Sequence, residues 1–171
     1  MRWSQGLGAE RRKKDLKNRL AALEREAAEA AEKGDGLAQA IALNNLGATH
    51  ADLEDWPAAW DTYLQAAAAV PAEASLDERS TPWGNAALAA RRLKQWDKAT
   101  LAGVWVDALA GEADDANLRL VADTALALAR KAVGKEAFGA LLDEAIAELP
   151  EDRRGFVRRD QHADPTFRSA D

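Results

Sequence analysis

Apolar residues recur along this chain at intervals of three and four, the spacing that gathers them on one face of an α-helix. From about Glu10 to Lys33 a narrow seam of Leu16, Leu20, Leu23, Ala27 and Ala30 runs through charged residues. That pattern predicts one long polar helix with a single apolar stripe. Gly34 and Gly36 follow and are expected to end it. Next, Leu43, Leu46, Gly47 and His50 share one face, and beyond Leu53 to Asp55 a new face is marked by Ala59, Tyr63 and Ala66. Two helices are predicted here, one ending near Asp52 and one running from Pro57 to about Ala69. Small residues at Gly47 and Ala59 let two backbones cross closely, with Tyr63 and the leucines filling the remaining space.

The pattern then repeats. From Trp83 to Leu109 the chain again reads helix, tryptophan-bearing turn, helix, and Asn45, Leu53, Trp56 and Ala59 align with Asn85, Leu93, Trp96 and Ala99. A third copy spans Val121 to Pro150, where Ala125, Leu128, Ala137, Leu141 and Pro150 take the equivalent places. Fading regularity toward the end suits a terminal repeat, which has one neighbour instead of two.

In the first copy, Leu43, then Leu46-Gly47, then Ala59, Tyr63 and Pro71 match the tetratricopeptide pattern, with His50 where its first aromatic usually stands. The chain therefore resembles that family over residues 40 to 150, as about three repeat-like helix pairs. The resemblance implies an all-α fold, a right-handed α-solenoid of antiparallel helix pairs, here with an extra N-terminal helix. It also implies a non-catalytic adaptor that binds a peptide or helix of another protein along a concave groove formed by the first helix of each pair. Groove candidates are Asn44, Asn45 and Ala48 in the first unit, Asn85, Ala89 and Arg92 in the second, and Arg119 in the third. Asn45 and Asn85 hold the place that, in some relatives, grips a peptide's terminal carboxylate; Asp123 puts a negative charge where such a clamp wants a positive one.

Four segments are expected: a flexible N-terminus over 1–9, loosened by Gly6 and Gly8; the charged helix over 10–34; the repeat domain over 35–150; and a cap and tail over 151–171. In the last, Asp152 to Asp160 is expected to form a short helix whose Phe156 and Val157 cover the final repeat, and Asp164-Pro165 a turn. Asp55 and Asp97 read as N-caps, and Pro57 sits early in its helix, where a missing N–H costs nothing. The polar stretch from Pro71 to Pro82 reads as a loop, either a plain insertion on one edge of the stack or a cover over its concave face. Of the tryptophans, Trp56 and Trp96 are expected to pack in the turns; Trp60, Trp83 and Trp105 are bulky fillers of an alanine-rich scaffold or parts of a contact surface.

Length and composition bound the remaining choices. The 171 residues suit one domain, and the absence of cysteine excludes disulfides, thiolate metal sites and cysteine nucleophiles. Abundant alanine favours helix over sheet. No apolar run approaches a membrane span, and no apolar run follows the first charges, so neither a membrane protein nor a secretory signal is expected and the cytoplasm is the default. Residues 40–150 carry 9 basic and 17 acidic side chains, a balance of −8 that repels nucleic acid. Against that stands the cluster Arg11, Arg12, Lys13, Lys14, Lys17 and Arg19, broken only by Asp15. It reads as a solvated helix face or, alternatively, as the phosphate-contacting patch of a nucleic-acid-associated accessory protein. The Leu16–Leu20–Leu23 seam docks on the first repeat in cis or joins two copies in a homo-oligomeric structural protein.

Chemistry is sparse. His50 and His162 are far apart, and His162 with Asp164 offers two ligands without a third. Gly34-Asp35-Gly36 neither follows a strand nor carries a lysine-serine ending, so no phosphate loop is present. Ser75 and Ser80 have no histidine in pattern. Neither enzymatic activity nor a cofactor is expected.

Overall fold

The computed structural model describes residues 3–163, with side chains from residue 10 onward. Among these residues every regular element is a helix: α1 (Trp3–Glu32), α2 (Gly36–Asp52), α3 (Trp56–Ala69), α4 (Leu76–Arg92), α5 (Trp96–Glu112), α6 (Ala116–Val133), α7 (Lys135–Glu148), α8 (Glu151–Arg154) and α9 (Arg159–Ala163). The predicted pairs correspond to α2 with α3, α4 with α5, and α6 with α7. The first helix starts at Trp3 instead of Glu10, and Gly6 and Gly8 do not break it. The proposed Asp164-Pro165 turn lies outside the described residues.

One three-residue connection recurs: Lys33-Gly34-Asp35, Leu53-Glu54-Asp55, Leu93-Lys94-Gln95 and Ala113-Asp114-Asp115. Its middle residue is left-handed each time, at φ 69° for Gly34, 60° for Glu54, 58° for Lys94 and 51° for Asp114. The N–H of the third residue reaches back to a carbonyl one turn earlier, Asp35 to Ala30, Asp55 to His50, Gln95 to Ala90 and Asp115 to Ala110, at 2.9–3.0 Å. This closes one helix end and opens the next. Asp35, Asp55 and Asp115 then accept a bond from the backbone N–H of Ala38, Ala58 and Leu118. Asp97 is not a cap; Gln95 takes that place without a side-chain bond, and Asp97 lies in the first turn.

Only the first part of the stretch from Pro71 to Pro82 is a loop: residues 71–75 are a connection, and from Leu76 onward the chain is helical. Ser75 caps α4 in a reciprocal box: its hydroxyl accepts from the Glu78 N–H, and Glu78 accepts from the Ser75 N–H at 2.8 Å. That Ser-x-x-Glu signal starts the helix at Leu76, and Pro82 is carried inside it.

By internal packing the chain divides between Ala74 and Ser75 into a unit of α1 to α3 and a unit of α4 to α9. In the first, α2 packs on both α1 and α3. Leu23 and Ala27 of the α1 seam meet Leu43, Leu46 and Ala66, with Leu20 against them, so this part of the seam docks in cis. Gly47 faces Tyr63 across the α2–α3 crossing, where a β-carbon on residue 47 would meet two ring carbons at 2.7 Å. Trp60 is buried as well.

In the second unit α4, α5, α6 and α7 pack in succession, and α5 also meets α7. Val104, Leu126, Phe138, Leu142 and Leu149 form the core. Trp83 of α4 stacks on Trp105 of α5 at 4.7 Å between centroids, and the Arg153 guanidinium lies over the Trp105 ring at 5.5 Å. The end of the chain differs from the single short helix expected over 152–160: α8 stops at Arg154, a bend follows, and α9 begins at Arg159. Within that bend Val157 packs on the core, while Phe156 is exposed and its carbonyl fills the space that a β-carbon on residue 111 would need.

Candidate functional site

Two features of the second unit carry the arrangement of interest. Connected through α5 by two short turns, α4 and α6 run in the same direction. Between them lies an open cleft of about 390 Å³, lined on α4 by Gly84, Ala87, Leu88 and Arg91, on α6 by Leu120, Val121, Thr124, Ala125 and Leu128, and on α5 by Trp96 and Ala99. The α4 residues recur at helical spacing, so one face of that helix forms a wall. Leu88, Leu120 and Val121 stay 39%, 66% and 50% exposed. Apolar side chains of this size left in water at one place mark a surface that gains by being covered.

The second feature is a buried polar cluster. Asp107 on α5 is fully buried. Its Oδ1 accepts from the Arg158 guanidinium at 2.5 and 3.0 Å, and its Oδ2 accepts from the Arg158 backbone N–H at 2.9 Å and from His162 Nε2 at 2.8 Å. Arg158 also donates to Asp123 of α6 at 2.8 Å, and His162 Nδ1 lies 3.7 Å from that carboxylate. Burial alone would raise the Asp107 carboxyl, but the bonds and charge of His162 and the donors of Arg158 outweigh it and hold the group below the ordinary aspartate value. Burial likewise opposes the Arg158 charge, and Asp107 and Asp123 overcome it. The result ties the end of the chain to α5 and α6.

Asp107, Asp123 and His162 present ligand-type atoms within 4.8 Å of one another. The Arg158 guanidinium already donates into both carboxylates and supplies the positive charge that a metal ion would bring. From the sequence His162 and Asp164 are two candidate ligands; Asp164 lies outside the described residues, and among those described His162 meets Asp107 and Asp123. Both lie far back in the chain, so no local spacing announces them.

The residues singled out from the sequence fall as follows. Asn44 and Asn45 lie half-buried on α2 in the first unit, and Asn85, half-buried, and Arg92, exposed, lie on α4 in the second. Neither α4 residue lines the cleft; each follows a lining residue and so turns about 100° around the helix from it. Arg119 is drawn toward the end of α5, pairing with Asp114 at 3.0 Å, while its buried Nε has no partner. The structure thus gathers none of these polar residues into the cleft, whose walls are the aliphatic Leu88, Leu120 and Val121. Arg11, Arg12, Lys13, Lys14, Lys17 and Arg19 are all exposed on α1.

Among the described residues no helix is long and apolar enough to cross a membrane. Compared with protein-family models, curated proteins and solved structures, the chain finds no match in any of the three. The fold defines the class: an all-α protein whose helices pack antiparallel in sequence order within each unit, in the manner of a helical repeat.

Proposed function

We propose that this protein is a non-catalytic adaptor of tetratricopeptide-like, right-handed solenoid architecture, which binds a segment of another protein along the first helices of its pairs. One observation carries the reading: the apolar cleft between α4 and α6 sits where that architecture places a partner. Three of the five large apolar side chains left exposed among the described residues line it. The Leu46-Gly47 pair against Tyr63 supports the tetratricopeptide likeness, since a large ring on a glycine is what the pattern requires at the crossing. Shared architecture is analogy, so the cleft carries the functional argument.

A capture experiment from extracts of the source cells tests this. The parent should retain a protein that a Leu120→Ser, Val121→Ser double variant loses, with unchanged melting and elution for both, because these side chains are exposed and contribute little to the core. An Asn45→Ala, Asn85→Ala variant measures what the amides add. Identical partner profiles for parent and cleft variant would contradict the proposal.

A further inference from the structure

We propose, resting on the adaptor reading above, that the cleft takes an amphipathic helix lying antiparallel to α4 and α6, with acidic residues in its first turn against Arg91.

The lining selects a helix over an extended strand. An extended segment needs backbone partners along its length, whereas a helix satisfies its own donors and acceptors. Here the walls are almost wholly aliphatic, and the Thr124 hydroxyl is already given to the Leu120 carbonyl at 2.8 Å. Two parallel helices also leave a furrow along their axes, which suits the ridge of a third. From Gly84 to Arg91, and from Leu120 to Leu128, the furrow is about two turns or 11 Å long. The occupant therefore presents apolar residues at i, i+3 or i+4, and i+7.

Charge fixes the direction. Arg91 is the sole charged side chain of the lining; it is exposed and makes no ion pair among the described residues. At the same end, the last turn of α6 carries Arg130 and Lys131. The other end is acidic, with Asp77 and Glu78 in the first turn of α4 and Asp115 capping α6. A helix set antiparallel brings its N-terminal turn to the basic end. Acidic side chains favoured there by its own dipole then face Arg91, and the helix dipoles oppose those of α4 and α6.

Two fluorescein-labelled peptides of about four turns serve as probes, each a designed amphipathic helix with the same apolar stripe. One carries three glutamates in its first turn; the other carries three lysines there. Anisotropy titrations against the full chain should give about fivefold tighter binding for the glutamate peptide, shrinking with added salt. Arg91→Glu should remove or reverse that preference, and Leu120→Ser with Val121→Ser should weaken both peptides alike. Equal affinity for the two peptides, still lost in the Leu120/Val121 variant, would overturn the charge selection and leave the adaptor reading standing. Failure of both peptides to bind, or binding that ignores the Leu120/Val121 change, would overturn the helical occupant and count against the cleft itself.

Discussion

The ring of Tyr63 lies so close to the backbone of Gly47 that residue 47 has no room for a side chain: an added β-carbon would stand 2.7 Å from two ring carbons. Gly47→Ala should therefore force α2 and α3 apart and cost on the order of 1–3 kcal/mol, with Gly47→Trp costing more. Tyr63→Ala made on the Gly47→Ala background should cost less than on the parent, because the clash and the ring are removed together. Urea melts of the four proteins measure this coupling. Strict additivity would show that the two residues do not meet.

Glu54, Lys94 and Asp114 adopt left-handed backbone that glycine enters without strain. Lys94→Gly should raise stability by about 0.5 kcal/mol, since relief of strain exceeds the added freedom of the unfolded chain. Gly34→Ala, at the equivalent turn, should act in the opposite sense. A lower melting temperature for Lys94→Gly would contradict the shared turn geometry.

Acid should release the end of the chain through Asp107. Its folded value lies below the unfolded one near 3.8, so its contribution is present above that pH and is lost as pH falls through the lower, folded value. Asp107→Asn should cost about 3 kcal/mol near neutrality, because Arg158 and His162 lose the carboxylate they share. The stability curve of the variant should be flatter below pH 4 than that of the parent. Parallel acid limbs would remove Asp107 from this role.

The basic stretch on α1 is exposed throughout, as a solvated helix face would be. Binding to single or double strands should appear only at low salt and vanish near physiological ionic strength. Tight binding there, abolished by changing Arg11, Arg12, Lys13 and Lys14 to alanine, would move nucleic acid ahead of protein as the partner.

Helix positions were legible where the signal is local. The seam of Leu20, Leu23 and Ala27, the turn before Trp56 and the close approach at Gly47 each follow from spacing of three or four. The polar, turn-forming residues between Pro71 and Pro82 point to a loop throughout, whereas the Ser75–Glu78 capping box, itself a local sequence signal, starts a helix at Leu76. Three of the four left-handed turns lack glycine, so nothing in their residues marks the conformation. Asp107 meets Arg158 and His162 only through folding, across about fifty positions. The cleft is harder still to foresee: Leu88, Leu120 and Val121 look like core residues, and only the packing of α4, α5 and α6 leaves them in water.

Site-specific photo-crosslinking reads out whether a partner sits between α4 and α6. A benzophenone side chain placed at Val121 in the cleft, and separately at exposed Ala140 on α7, which contributes nothing to the lining, is irradiated in extracts of the source cells. One dominant adduct is expected from position 121, absent from position 140 and suppressed by Leu88→Glu on the same chain. No adduct at position 121, or the same adducts from both positions, would contradict a partner seated between α4 and α6.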